Sequence, residues 1–352
     1  MSTKLKGRGT DGNPQNRFEI RSYERDLDTI DPYEDEVISP LTELIPDRSR
    51  SIIATNDSPD IGLDASINAY RGCEHGCVYC YARPSHEYLG YSAGLDFETK
   101  ILFKADAATL LRKALMKPSW QPQRIAISGV TDAYQPAERK LKLTRSCLEV
   151  LAEFRNPAAI ITKNQLVARD ADILAEMAAW NGAAVFLSIT TLDRELAQTL
   201  EPRASTPNAR LEAISKLNKA GVPVGVMVAP IIPGLNDHEI PTILAAAAQA
   251  GAKYASFTIL RLPLGVADLF TTWLDRHAPL KKEKILGRIR SIRDGKLNEW
   301  RFGERMRGTG PFADLIGTLF RTSAARHGYV RGPKLSIEHF RRPTEGQMLL
   351  FD

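Results

Sequence analysis

Arg71-Gly72-Cys73-Glu74-His75-Gly76-Cys77-Val78-Tyr79-Cys80-Tyr81 is the stretch that decides how this chain is read. Its three cysteines follow a C-x3-C-x2-C spacing, with an aromatic just before the last. Three thiolates so close together cannot all be presented from one helix or strand, but a tight loop can aim them at one point. Gly72 and Gly76 supply the backbone freedom that such a loop needs. The chain has 352 residues and four cysteines. That usage fits a reducing compartment, where clustered thiolates are metal or iron–sulfur ligands rather than disulfides. A [4Fe–4S] cube held for electron transfer takes four cysteines; three leave one iron open to a substrate or cofactor. The alternative is a structural zinc loop completed by His75, His86 or Cys147. Zinc sites usually carry a second paired-ligand unit, and none follows here. Cys147 shares a helical face with Leu143, Leu151 and Phe154 and reads as a small core residue.

Outward from this run the chain alternates strand and helix. Ser66–Tyr70 reads as a strand running straight into the cysteines. The strands that follow are Arg124–Ser128, Ala158–Thr162, Ala183–Thr190, Val222–Ala229 and Lys253–Leu260. Helical periodicity marks Ala105–Met116, Glu138–Arg155, Ala168–Trp180, Asn208–Ala220 and His238–Ala250. Short β-branched strands alternating with helices of ten or more residues predict an α/β fold with a parallel sheet covered by helices. Six such units predict an open, partial (β/α)6 barrel over residues 65–262. Residues 1–35 are polar and rich in Gly, Asn and Arg, which predicts a poorly ordered extension. Residues 36–64 are expected to wrap the core. Residues 263–342 form a basic, mainly helical cap, with helices at Leu264–His277 and Leu280–Arg293, and 343–352 a flexible tail.

Charge divides the chain unevenly. The net charge is +5, yet residues 281–342 hold 16 Lys and Arg against 6 Asp and Glu, so the remainder is about −5. A basic surplus confined to one segment is the pattern of a polyanion-binding patch, with DNA a possible partner; the alternative is a solvated helical face or arginines that pair internally. Met1–Asp28 has no apolar stretch of the signal-peptide kind, and Val222–Leu235 is too short and too proline-rich to cross a bilayer. A cytoplasmic protein with no membrane contact is the expectation.

In parallel α/β barrels the chemistry gathers at the C-terminal ends of the strands. That rule selects the three cysteines, then Ser128, Gly129, Thr131 and Asp132, then Thr162, Lys163 and Asn164, then Ser188, Thr190 and Thr191, then Pro230, Pro233 and Gly234. Lys163 suits a carboxylate, and Ser188 and Thr131 can hydrogen-bond carboxylate or ammonium. The alternative for the hydroxyls is capping of the helices that follow. His86 and Glu87, in the run after the cysteines, are candidate acid/base or substrate groups. The competing reading for that run is a surface loop bracing the cysteines.

The cysteine run resembles the signature of the radical S-adenosylmethionine (SAM) superfamily. Its members chelate SAM on the open iron of a [4Fe–4S] cluster and cleave it reductively to a hydrogen-abstracting 5′-deoxyadenosyl radical. Asn68–Lys104, with Ser128–Glu138, Ile161–Lys163 and Leu187–Thr190, is similar to the spore photoproduct lyase-like branch of DNA-repair-like enzymes. The resemblance implies that Cys73, Cys77 and Cys80 hold the cluster and that the backbone of Tyr79 meets the adenine. It implies that Tyr81 packs beside SAM, that Lys163 and Ser188 hold its carboxylate, and that Thr131 lies near its amino group, with Asp132 alongside. Gly129 stands where the lyases have a hydrogen-donating cysteine, so a different donor, with Tyr134 as candidate, or a different reaction is required. An electron donor such as flavodoxin or ferredoxin follows from this chemistry. The terminal Gln347-Met348-Leu349-Leu350-Phe351 resembles the peptide by which DNA-processing proteins dock on the replicative sliding clamp. The leading expectation is a radical SAM enzyme acting on DNA. The others are a radical SAM enzyme acting on RNA, a peptide or a small molecule, and a non-enzymatic, metal-stabilised nucleic-acid-binding module.

Overall fold

The computed structural model describes residues 5–18, 40–55, 58–60, 62–63 and 65–343. In chain order the strands are β1 (Glu43–Pro46), β2 (Ile53–Thr55), β3 (Ala65–Ile67), β4 (Tyr70–Arg71), β5 (Lys100–Phe103), β6 (Ile125–Ile127), β7 (Ala158–Thr162), β8 (Ala183–Ile189), β9 (Val224–Ile231) and β10 (Tyr254–Ile259). The six strands expected from the βα alternation all form. They pair in parallel as β3-β6-β7-β8-β9-β10, and β2 joins β3 antiparallel at the edge. The first and last parallel strands do not pair, so the sheet is an open barrel. A second small sheet, β1-β5-β4, was not foreseen. It forms because the chain leaves β3 at Asn68 and pairs Tyr70 with Phe103, which turns the cysteine run across the top of the main sheet.

Alternation along the strands separates two faces. Val185, Leu187 and Ile189, with Val224, Val226 and Val228, lie under the helices and are at most 1% exposed. The opposite face mixes small or polar residues, among them Ser66, Ala126, Ser188, Gly225 and Ser256, with Ile161, Phe186 and Met227. Much of it is only partly covered, and Ile161 is 38% exposed. Gly225 is required there, since a Cβ would lie 2.6 Å from the ring of Phe186 in the neighbouring strand. The concave face is therefore an open trough beneath the cysteine run.

The helices Ala107–Met116, Leu143–Phe154, Ala171–Ala178, Pro207–Lys219 and Ile240–Gln249 cover the outer face. The single helix expected over 138–155 is two, Glu138–Leu141 and Leu143–Phe154, broken at Lys142 with φ of 53°. The Glu138 carboxylate turns back to accept the backbone N–H groups of Thr144 and Arg145, so it caps the second helix as the first ends. Val266–His277, Lys282–Ser291 and Pro311–Arg326 form the C-terminal cap. Residues 330–342 then run along the N-terminal ends of the strands. Val330 pairs with Tyr254, Ser336 N–H reaches Asn181 O, and Arg342 donates to the carbonyls of Lys117 and Trp120.

The expectation of a poorly ordered start fails for residues 5–18, which pack against the cysteine run. Arg8, Thr10 and Asn16 are buried and hydrogen-bonded to it or to its neighbours. The rest of 1–35 lies outside the described residues, as does the proposed clamp peptide Gln347–Phe351. No described helix is long and apolar enough to cross a membrane.

Glu138 has no exposed surface and gathers Tyr70 Oη at 2.5 Å, Arg169 Nη2 at 2.7 Å and the two helix amides. Replacing Glu138 with Ala is expected to cost about 2–4 kcal/mol, because its buried partners lose their acceptor. Chemical denaturation of wild type and variant measures this directly.

Candidate functional site

The cysteine loop is tied at almost every residue. Gly72 and Gly76 have φ of +80° and +66°, the left-handed region that glycine enters without strain. A Cβ at Gly76 would lie 2.7 Å from Glu98 Oε2. Cys73 N–H donates to Phe97 O, and Val78 N–H to Leu200 O. Glu74 accepts from Ala137 N–H at 2.6 Å and Thr42 Oγ1 at 2.8 Å, and Arg203 lies 3.2 Å away. Arg83 and Glu98, both fully buried, are paired at 2.6 Å. Arg83 also donates to the carbonyls of Cys77, Ala93 and Gly94. Glu98 in turn accepts from Gly9 N–H and Thr10 Oγ1.

Burial raises all three thiols above their ordinary range, helped at Cys73 by Asp132 and at Cys77 by Glu201. Ligation removes those protons and relieves that penalty. Among the described residues no three His, Cys, Asp or Glu side chains converge on one ion position. Three soft donors in a rigid, water-poor loop fit the cluster. Cys147 is 1% exposed inside the main core, in the helix layer behind the sheet.

Asp132, expected beside SAM, instead ties strand ends to the cysteine loop. It accepts from Thr162 Oγ1 at 2.6 Å and Lys163 N–H at 2.9 Å, and lies 3.4 Å from His75 Nδ1. Burial would raise its carboxyl, but His75 and these hydrogen bonds hold it at about 2. The other ring nitrogen of His75 meets Asn164 at 3.1 Å. Thr131 donates to Gly72 O at 2.5 Å and accepts from Gln135 Nε2. Lys163 Nζ donates to Ala229 O at 2.9 Å and lies 3.8 Å from Glu201, below the ring of Tyr79. Ser188 is 4% exposed on the same inner face.

Tyr79 Oη donates to Glu201, which also binds Thr190 and Arg210. Burial would raise the Glu201 carboxyl; Arg210 and Lys163 overcome this and hold it at about 2. Tyr81 is 53% exposed, with its hydroxyl donating to Gly129 O at 2.9 Å and Arg261 over its ring. The expected cluster ligands, Tyr79, Tyr81, Thr131, Lys163 and Ser188 thus all gather at the C-terminal ends of the strands.

Tyr134, His86 and Glu87 do not join them as reactive groups. Tyr134 has no exposed surface and its hydroxyl donates to Asp170 at 3.1 Å. His86 is fully buried, with Tyr91 and Phe97 around its ring, and burial lowers it to about 4. Its Cε1 would be 3.0 Å from a Cβ at Gly72, so it is packing under the loop rather than a surface acid. Glu87 is paired with Arg17 at 2.6 Å. Arg83, Glu98, Glu201 and Arg210 were not foreseen. Buried charge pairs between separate loops leave no periodic trace in a sequence.

The basic segment does not make one patch. Arg293 is buried and donates to the carbonyls of Leu260 and Arg305, Arg305 pairs with Asp60, and Arg301 with Glu299 and Glu304. Arg341 and Arg342 lie at the opposite end, on backbone carbonyls of Glu153, Lys117 and Trp120.

Residues 67–247 match the profile of the Radical SAM superfamily. An uncharacterised protein of Mycobacterium tuberculosis is 38% identical over 229 residues, which is 64% of this chain and 66% of the relative, just under two thirds of its length. An uncharacterised protein of Methanocaldococcus jannaschii is 31% identical over 178 residues, covering 51% of this chain and 64% of the relative. Among solved structures, a spore photoproduct lyase shares the fold with a TM-score of 0.58 at 17% identity, covering 81% of this chain and 80% of the lyase. With the cysteine loop at the mouth of an open parallel barrel, the chain belongs to the radical SAM superfamily, and it is an enzyme whose cofactors are a [4Fe–4S] cluster and SAM.

Proposed function

We propose that the protein acts on a nucleic-acid strand, DNA in the first instance, one nucleotide of which enters the trough beneath the cysteine loop. The observation that carries this is the concave face itself, where Ser66, Ala126, Ser188, Gly225 and Ser256 alternate with the partly exposed Ile161, Phe186 and Met227, at the end of the barrel where Tyr81 is half-exposed beside Cys80. A base extruded from a duplex needs a recess of this kind. The shared fold supports the reading, since solved structures of spore photoproduct lyase hold a dinucleoside spore photoproduct.

Cys73, Cys77 and Cys80 hold the cluster, which with SAM supplies a hydrogen-abstracting adenosyl radical. Lys163 and Ser188 serve the SAM carboxylate. Thr131 already donates to Gly72 O and accepts one hydrogen bond, which leaves a lone pair for an ammonium donor. Tyr81 forms the boundary between cofactor and trough. Asp132 and His75 fix the loop, and act on the reaction only through its position.

Gly129 is where this chain departs from the lyase pattern. A Cβ at Gly129 would meet only Ser66 and Asn68, at 3.7–3.8 Å, so the position opens on the trough and would accept a side chain. Cys147, behind the sheet, cannot stand in for a thiol there. The substrate radical must therefore be resolved without a cysteine at this position, and the reaction differs from thymine-dimer reversal by that route.

After anaerobic reconstitution and reduction with dithionite, wild type is expected to form 5′-deoxyadenosine from SAM, while Cys77→Ala forms none. An ultraviolet-irradiated oligonucleotide should raise the yield above that with undamaged DNA. Formation of 5′-deoxyadenosine with no binding or change of any oligonucleotide would overturn the nucleic-acid reading and leave the radical chemistry standing. Asp132→Ala, which frees His75, Thr162 and the Lys163 amide, should lower iron retained per chain after desalting, measured with sulfide content, while the fold stays intact by circular dichroism.

A further inference from the structure

Arg261 follows β10 by two residues and lies at the cluster end of the barrel. Its guanidinium carbon is 5.5 Å from the Tyr81 ring centroid. Its Nη1 has only a weak contact, 3.7 Å to Met306 Sδ. Its Nε is buried and without a hydrogen-bond partner, the one such guanidinium atom among the described residues. The nearby carboxylate, Asp60, is already engaged by Gly303 N–H at 2.7 Å and Arg305 Nε at 2.6 Å. The other charges close to Arg261 are Arg305 and Arg293, of the same sign, and burial together with Arg305 lowers its proton affinity.

The contrast with Arg293 is informative. That side chain is the deeper of the two, 1% exposed where Arg261 is partly buried, and its donors are used on backbone carbonyls. Arg261 has the cost of burial and of like-charged neighbours without the acceptors that normally offset it. A guanidinium in this state is a receptor for an anion. Its fork suits two oxygens of one group. Tyr81 fixes where that group sits, because its hydroxyl reaches Gly129 O beyond β6 while its ring lies against Arg261 beyond β10. The tyrosine thus spans the mouth of the trough, and Arg261 stands at one end of that span.

We propose that Arg261 is the anchor for one phosphodiester of the substrate strand, held beside Tyr81 so that the adjoining nucleotide hangs into the trough. This rests on the nucleic-acid reading above and adds the atom that recognises the backbone. It requires neither Lys163 nor the cysteines, so phosphate recognition and SAM binding are separable.

The test uses reconstituted, SAM-loaded protein and two probes, the dinucleotide thymidylyl-thymidine and its uncharged methylphosphonate twin, titrated by calorimetry or ligand-observed NMR. Wild type should prefer the charged probe by roughly 10- to 100-fold, the range for a hydrogen bond to a charged group. Arg261→Gln should bind both probes alike, Arg261→Lys should keep part of the preference, and SAM affinity should be unchanged in both. A preference that survives in Arg261→Gln would overturn the anchor and leave the nucleic-acid reading intact. If neither dinucleotide nor a longer single strand binds wild type, the nucleic-acid reading falls, and the phosphodiester anchor with it.

Discussion

The buried pair between Arg83 and Glu98 is the contact on which the rest of the site depends. Neither side chain has exposed surface. Removing two charges from water is repaid only when geometry is good and the remaining donors and acceptors are used. Here they are. Arg83 reaches three carbonyls besides the carboxylate, and Glu98 takes an amide and a hydroxyl from the N-terminal segment. The pair sets the position of Cys77 through its carbonyl and the approach of Gly76 through the Glu98 oxygen that faces it.

Much of this fold could be read from pattern, and the reasons for success and failure are specific. The six parallel strands were visible because their outer positions must be apolar to meet helices, as Val224, Val226 and Val228 show. The cysteine spacing was visible because ligation tolerates few arrangements. The small β1-β5-β4 sheet was not, since its strands of two to four residues are too short to display a period. The break at Lys142 was hidden because Glu138–Arg155 keeps a continuous helical stripe; tertiary capping by Glu138 overrides it. Residues 5–18 read as solvated because their polar side chains have partners 70 to 90 positions away, a correlation that composition does not record.

The site residues divide along the same line. Lys163, Ser188 and Thr131 were selected because strand order places their positions at one end of a barrel. His86 and Glu87 were selected by nearness in sequence to the cysteines and Tyr134 by nearness to Gly129, and such nearness does not fix orientation: Tyr134 and His86 turn inward, and Glu87 pairs with Arg17 of the N-terminal segment. The basic C-terminal surplus shows a similar limit. Its arginines reach both ends of the barrel and mostly meet carboxylates or carbonyls, so a charge total over 62 residues overstates the field at any one place.

The N-terminal segment also has an electrical consequence. By covering Arg83 and Glu98 it keeps water, and therefore dielectric screening, away from the back of the cysteine loop. The positive end of that pair lies against the Cys77 carbonyl, so its field acts on whatever charge the loop holds with little attenuation. Residues 5–18 thus behave as insulation. Lifting them would alter the ease with which the loop's occupant accepts an electron even though no ligand moved.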